Sequence, residues 1–137
     1  MVKPDRRRFI TGMTGVYFTA AELSSRGYVV TVTARNAPGI DLMASTPNMK
    51  RTYNIEVKTN RAGGTQSFWL VGPNAKKNKS PRLIYVFVNL KKNNKPDFYV
   101  VKSSIVAKNI GENKTKKGTW YSFRLYGKDK DRWEILK

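Results

Sequence analysis

The apolar segment at residues 83–90, LIYVFVNL, most strongly limits the folds open to this chain. A nearly continuous apolar run of this length is typical of a strand that is buried on both faces in the centre of a sheet. The chain has 137 residues, of which 39% are hydrophobic, enough for one domain with a single modest core. We therefore expect one α/β domain whose central sheet is covered on both sides.

A helix precedes the predicted strands. Apolar residues recur at intervals of three and four over residues 13–23, which is the spacing of one helix face. Thr11 or Thr14 can cap the first turn of this helix. We expect residues 1–10, which include three consecutive arginines, to form a basic N-terminal arm, and residues 11–137 to form the single domain.

Several later segments show the composition or the alternation of strands. β-branched residues dominate residues 28–33, and a turn at residues 36–39 leads to a second short strand at residues 40–44. The segment TYNIEVKT at residues 52–59 alternates strictly between apolar and polar side chains, which predicts a strand with one face in the core. Further strands are predicted at residues 66–71, 97–101 and 120–126, and a short helix at residues 103–109.

Asp41, Glu56 and Lys58 can form a site for phosphodiester chemistry. Glu56 and Lys58 lie two residues apart in the alternating strand, so their side chains emerge on the same face, and Asp41 joins them if the two strands are neighbours. The two carboxylates would hold Mg²⁺ against a phosphate oxygen. Lys58 would orient the attacking water or stabilise charge on the phosphoryl group. The chain contains no cysteine and no histidine, which favours an ion with oxygen ligands, Mg²⁺ or Mn²⁺, over zinc.

The spacing of these residues is weak support when taken alone. An acidic residue two positions before a lysine occurs by chance about once in a chain of this size, and Glu112-Asn113-Lys114 is a second instance, in a segment with the polar composition of a loop. The alternative interpretation is structural: Asp41 caps a turn, and Glu56 pairs with Lys58 in solvent. The order of helix, strand pair and triplet favours the site.

These segments resemble the PD-(D/E)xK nuclease superfamily, the restriction-endonuclease-like proteins that include type II restriction enzymes and archaeal Holliday-junction resolvases. The resemblance covers about residues 11–71 and is carried by TGMTGVYFTAAELSSRGY, NAPGIDL and YNIEVKT in that order. It implies a restriction-endonuclease-like mixed β-sheet flanked by helices, an α-β-β-β core with later strands added. It also implies that Asp41 and Glu56 are metal ligands and that Lys58 is the catalytic lysine of a DNA endonuclease.

One position departs from the pattern of many members. They carry a glutamate directly after a glycine of the helix, where this chain has Gly15-Val16, so a supplementary metal ligand is missing. Glu22 lies on a different side of the predicted helix and does not replace it. A member with weakened or absent catalysis that only binds DNA is therefore an alternative to the active endonuclease.

The charge of the chain indicates a polyanionic partner. Lys and Arg number 27 against 9 Asp and Glu, a net charge of +18. The resemblance points to DNA, duplex or branched, while charge alone would also suit a basic RNA-binding protein. Arg61 is the preferred phosphate contact near the site, and Gln66 followed by Trp69 is similar to some superfamily members. The predicted nucleic-acid contacts are Arg61, Gln66, Lys76, Lys77, Lys79 and Arg82.

Assembly and location are expected as follows. A single small domain cannot easily surround duplex DNA, so we expect a homodimer. No segment approaches the ~20 apolar residues of a transmembrane helix. The arginine-rich start is followed by only weakly apolar residues, which does not match an export signal. We therefore expect a cytoplasmic protein without membrane contact.

Overall fold

The structure, a computed structural model, describes residues 3–34, 39–61, 63, 67–125 and 127–137. Its two α-helices and eight strands, in chain order, are α1 Pro4–Ser25, β1 Val29–Val32, β2 Leu42–Ser45, β3 Thr52–Asn60, β4 Phe68–Val71, β5 Leu83–Lys91, β6 Asn94–Lys102, α2 Ser103–Lys108, β7 Ile110–Thr115 and β8 Gly118–Arg124. Short 3₁₀ helices lie at Pro73–Lys76, Gly127–Asp129 and Trp133–Ile135.

The strands form two sheets. The five-stranded sheet has the order β1-β2-β3-β5-β6, with β3 and β5 parallel and every other neighbouring pair antiparallel. The three-stranded sheet has the order β4-β8-β7 and is antiparallel throughout. A mixed sheet in an α/β chain is therefore confirmed, and β5 lies between β3 and β6, the interior position predicted from residues 83–90.

One face of the five-stranded sheet packs against α1. Val16 and Leu23 of α1 belong to one buried cluster with Val57 of β3 and Val86 of β5. Trp133, near the end of the chain, completes this cluster beside α1. Side chains alternate between the two faces of a strand, so every second side chain of β3 and β5 lies in this core and the intervening ones lie on the opposite face.

The opposite face packs against the three-stranded sheet and α2. Phe87 of β5 is fully buried in a second cluster with Trp69 of β4, Val106 of α2 and Phe123 of β8. The indole N–H of Trp69 donates a hydrogen bond to the backbone carbonyl of Val88 at 3.0 Å, which ties the two sheets together. The prediction that both faces of the central sheet are covered is confirmed. The second sheet on one of these faces was not predicted, because helices were expected on both.

The first helix begins earlier than the sequence predicted. Pro4 to Ile10 form the first turns of α1, so the predicted basic arm is helical from Pro4, and the start is not at Thr11 or Thr14. Proline is favoured at the first helical position, and arginine has a high helix propensity, which explains the longer helix.

A strand replaces the loop expected around residues 112–114. Those residues lie in β7, the outer strand of the three-stranded sheet. Polar and charged side chains are common on such edge strands, and they hide the alternation by which a strand is recognised. Most of the turn at residues 36–39 and the start of the strand predicted at residue 66 lie outside the described residues.

None of the helices in the part of the chain that the structure describes is both long and apolar enough to cross a membrane.

Candidate functional site

Glu56 and Lys58 lie side by side on β3, on the face of the five-stranded sheet opposite α1. The strand alternates between buried Ile55 and Val57 and the partly buried Glu56 and Lys58. Nζ of Lys58 lies 2.9 Å from Oε1 of Glu56. The glutamate side chain keeps 14% of its surface exposed and the lysine 27%, so the pair is shielded from water and still reachable by a ligand.

Asp41 is held against β3 by backbone hydrogen bonds. Its N–H donates to the carbonyl of Ile55 at 2.8 Å, and its Oδ2 accepts the N–H of Val57 at 2.7 Å. Burial raises the pKa of Asp41, and the negative charge of Glu56 raises it further, while the Val57 N–H and Lys58 act in the opposite direction. The three side chains predicted from the sequence are therefore close enough to be coupled electrostatically.

A cavity of about 410 Å³ opens beside this group. Glu56 and Lys58 form one wall together with Tyr85 of β5, and Gly39 contributes from the segment that leads to Asp41. Asp41 itself lies beside the cavity, against β3, and does not line it. The facing wall comes from the segment around the 3₁₀ helix Pro73–Lys76, through Gly72, Asn74, Ala75 and Asn78.

Tyr85 is a site residue that the sequence did not reveal. It is the cross-strand partner of Glu56 in the parallel β3–β5 pair, and its side chain is 4% exposed. Burial and the charge of Glu56 raise the pKa of Tyr85 to about 12, so its hydroxyl stays protonated beside the carboxylate at neutral pH. Within LIYVFVNL this tyrosine resembles the neighbouring core residues, because the sequence of the segment alone does not determine its register with β3.

The donor set suits a hard cation with few protein ligands. Among the described residues no group of three or more Asp, Glu, His or Cys side chains could hold a metal ion together. Asp41 and Glu56 provide two neighbouring carboxylates, and carboxylate oxygens are the ligands that Mg²⁺ and Mn²⁺ prefer, usually with water completing the shell. Burial is the main cause of the raised pKa of Asp41, and the charge of Glu56 adds to it, so a cation at the two carboxylates would favour their ionised forms.

Helix α1 adds no third carboxylate at this site. Val16 is buried in the core at 5% exposure. Oε1 of Glu22 lies 3.3 Å from Arg26 and 3.2 Å from Lys95, so this side chain is held in ion pairs away from the Glu56–Lys58 cavity. None of the described residues of α1 therefore contributes a carboxylate to the lining of the Glu56–Lys58 cavity.

The predicted nucleic-acid contacts are distributed over the surface. Arg61 directly follows β3 and is exposed. Lys76 forms an ion pair with Glu112, and Lys77 is exposed beside it. Arg82 lies over the ring of Tyr53, with 5.3 Å between the guanidinium carbon and the ring centroid.

None of the five predicted contacts that the structure describes lines the Glu56–Lys58 cavity. Lys79 and Arg82 line a different cavity, of about 780 Å³, together with Arg51 and Lys102. The predicted contact at Gln66 lies outside the described residues.

The fold is shared with an endonuclease of known structure. That protein is the bacterial homing endonuclease I-Ssp6803I, which superimposes with a TM-score of 0.65 over 93% of this chain and 90% of its own. Sequence identity is 10%, so the likeness concerns the fold alone. No protein-family model matches the sequence, and a search of the curated proteins gives no match.

Proposed function

We propose that this chain is a metal-dependent DNA endonuclease that hydrolyses phosphodiester bonds at the Glu56–Lys58 cavity. The observation that carries the proposal is the meeting of Asp41, Glu56 and Lys58 at one strand, beside a cavity, in a fold shared with a homing endonuclease. The net charge of +18 supports a polyanionic substrate. The restriction-endonuclease-like assignment within the PD-(D/E)xK superfamily is part of the same proposal.

Each of the three side chains has a separate task in this mechanism. Mg²⁺ held at this site would supply positive charge to polarise a phosphate oxygen and to acidify water. Asp41 and Glu56 would hold the ion, and the Val57 N–H fixes the orientation of the Asp41 carboxylate. Nζ of Lys58, already beside Glu56, would donate hydrogen bonds to the attacking water or to the phosphoryl oxygens.

A second candidate function is DNA binding without cleavage. Two observations favour it: Val16 is buried in the core where many members of the superfamily that the sequence resembles carry a glutamate, and the described residues contain no third carboxylate at the site. Such a protein would retain its charge and fold and would bind DNA with the same salt dependence.

Cleavage assays distinguish the two candidates. Supercoiled plasmid and branched DNA are incubated at low salt with Mg²⁺, Mn²⁺ or EDTA. We expect cutting in either metal and none in EDTA, and a loss of at least about 100-fold for Glu56→Gln and for Lys58→Ala, typical for removal of a group that acts in the transition state.

The matched controls are Asp97→Asn and Lys130→Ala, which disrupt another carboxylate–lysine pair, 3.2 Å long, whose members do not line the cavity. Both controls should cut like the wild type. If the wild type binds DNA and cuts nothing in either metal, the endonuclease proposal fails and the binding protein remains.

A further inference from the structure

Hairpin β7–β8 extends past its own sheet as a two-stranded ribbon. β4 pairs with β8 only as far as Tyr121, opposite Val71. Beyond that point β8 pairs with β7 alone, through three cross-strand pairs ending at Thr115 and Gly118. We call residues 113–120 the ribbon. Its residues are exposed on both strands, so it projects from the domain without a covering layer.

The ribbon carries only positive charge. Its sequence, NKTKKGTW, contains three lysines and no acidic residue. Within the described part of the chain none of Lys114, Lys116 and Lys117 has a carboxylate within ion-pair distance, unlike Lys76, Lys91 and Lys95. These three ammonium groups are therefore available to an external anion.

The base of the ribbon is tied to the rim of the cavity. Glu112, the residue before the ribbon, forms an ion pair with Lys76. Lys76 ends the 3₁₀ helix Pro73–Lys76, and Asn74 and Ala75 of the same helix line the Glu56–Lys58 cavity. A polyanion whose backbone enters the cavity therefore passes close to the ribbon.

The outer face of the ribbon presents an uncovered tryptophan. Trp120 is 48% exposed and pairs with Asn113. Phe68 and Leu70 of β4 lie on the same outer face and are 40% and 53% exposed. Their neighbour Trp69 points inward and is 1% exposed. Exposed aromatic and amide side chains amid lysines suit contact with sugars and base edges, which a solvated loop would not require.

We propose that the ribbon enters the major groove of the DNA whose backbone lies at the cavity. The major groove is about 12 Å wide and admits a two-stranded β-ribbon. The lysines at the tip would contact phosphates on either side of the groove, and Asn113 and Trp120 would face the base edges. This inference rests on the proposed function for the identity of the ligand as DNA, and it does not depend on whether that DNA is cut.

Tryptophan fluorescence tests the proposal without metal. The chain has three tryptophans, and Trp69 and Trp133 are 1% and 4% exposed, so acrylamide quenching reports mainly on Trp120. In EDTA, saturating duplex DNA should reduce the quenching constant several-fold, and a Trp120→Phe variant should bind DNA and lack the change. Unchanged quenching of the wild type at saturation would overturn the proposal.

Paired lysine variants test the interaction of the ribbon with phosphates. Lys116→Gln with Lys117→Gln should lower the salt dependence of DNA binding by about two, because each phosphate that a lysine neutralises adds ~0.9 to the slope. The control, Lys50→Gln with Lys92→Gln, removes the same charge from two other exposed turns and should leave the slope unchanged. Equal slopes for the two variants would contradict the binding of phosphates by the ribbon.

Groove-specific DNA completes the test. Duplexes with bulky substituents in the major groove should bind at least about 10-fold more weakly and should leave Trp120 open to quenching, whereas a minor-groove ligand should change neither result. The reverse pattern, or equal protection of Trp120 by single-stranded RNA, would overturn the major-groove assignment. Protection of Trp120 without cleavage in Mg²⁺ would contradict the proposed nuclease activity and support the contact of the ribbon with DNA. Cleavage without protection of Trp120 would support the nuclease activity and contradict the contact of the ribbon.

Discussion

At the scale of single residues, Asp41 occupies a position that lowers the stability of the folded chain. Burial and the neighbouring Glu56 hold the pKa of Asp41 above its ordinary range. The ionised form is therefore less favourable in the folded chain than in the unfolded chain. This penalty is absent below the ordinary pKa of an aspartate, about 3.9, and develops as the pH rises through the raised pKa.

Asp41→Asn should therefore raise the unfolding temperature at pH 7 in EDTA. The asparagine oxygen can still accept the Val57 N–H, and the buried charge is gone. The difference from the wild type should disappear near pH 3, where Asp41 is protonated in both states. Calorimetry over this pH range measures the effect.

Mg²⁺ provides the internal control for this substitution. The ion should stabilise the wild type and leave Asp41→Asn unchanged, because only the wild type has both proposed ligands. A variant that is less stable than the wild type at pH 7 in EDTA would contradict the burial argument.

Some residues of the candidate site could be predicted from the sequence, and others could not. Glu56 and Lys58 follow from strict alternation within one strand, and Asp41 from its position in the preceding strand. Tyr85 depends on the register between β3 and β5, and Asn74 depends on the path of a connecting segment. Neither the register nor the path is encoded in a local pattern.

At the scale of elements, the approach of α1 to β3 positions the site strand. A Cβ atom on Gly15 would lie 1.8 Å from Oγ1 of Thr59, which no side chain can accommodate without movement. The Thr59 hydroxyl is buried and has no hydrogen-bond partner among the described residues. The helix and the strand are therefore too close for a Cβ atom at position 15 unless one of them shifts.

Gly15→Ala should destabilise the fold by about 1 to 3 kcal/mol or more, because overpacking forces α1 away from β3. Gly12→Ala is the matched control: no atom lies within 4 Å of its added Cβ, so the alanine should stabilise the helix by about 0.5 to 1 kcal/mol. Urea denaturation measures both.

Thr59→Ala should restore part of the stability that Gly15→Ala removes, since Oγ1 and Cγ2 are deleted and the Thr59 Cβ, 2.8 Å away, remains. Equal stability of Gly15→Ala and the wild type would show that the helix and the strand pack more loosely than described.

Elements with a buried face were predictable, and elements at the edges were less so. β3 and β5 show the alternating or continuous apolar patterns of strands that contribute to a core. β7 is almost entirely exposed and shows neither pattern. α1 extends to Pro4 because the residues before position 11 have high helix propensity. The spacing of apolar residues, from which the helix was predicted, does not reveal these first turns.

At the scale of the whole molecule, the residues that the structure describes place one cavity beside Asp41, Glu56 and Lys58. Under the proposed function, a single site of this kind would attack one strand of a duplex at a time. Cutting both strands of a duplex requires two sites related by a two-fold axis, because the strands themselves have that symmetry.

We therefore expect a homodimer when DNA is bound. Static light scattering of the protein with a short duplex should give twice the 15.6 kDa of one chain plus the DNA. The measurement should be repeated without DNA, because a charge of +18 per chain opposes association until an anion is present. A monomer in both conditions would exclude the dimer, and nicking of one strand would then be the expected reaction.

The parallel pairing of β3 with β5 has a consequence for the order in which the molecule is assembled. Strands β1, β2 and β3 can pair as a local antiparallel meander, whereas Asn54 meets Leu83 only after a long loop has closed. That loop contains β4 and the 3₁₀ helix whose residues form the facing wall of the cavity. We therefore expect a partly folded chain to carry Glu56 and Lys58 without the enclosing wall, so that the proposed site is complete only after β3 and β5 have paired.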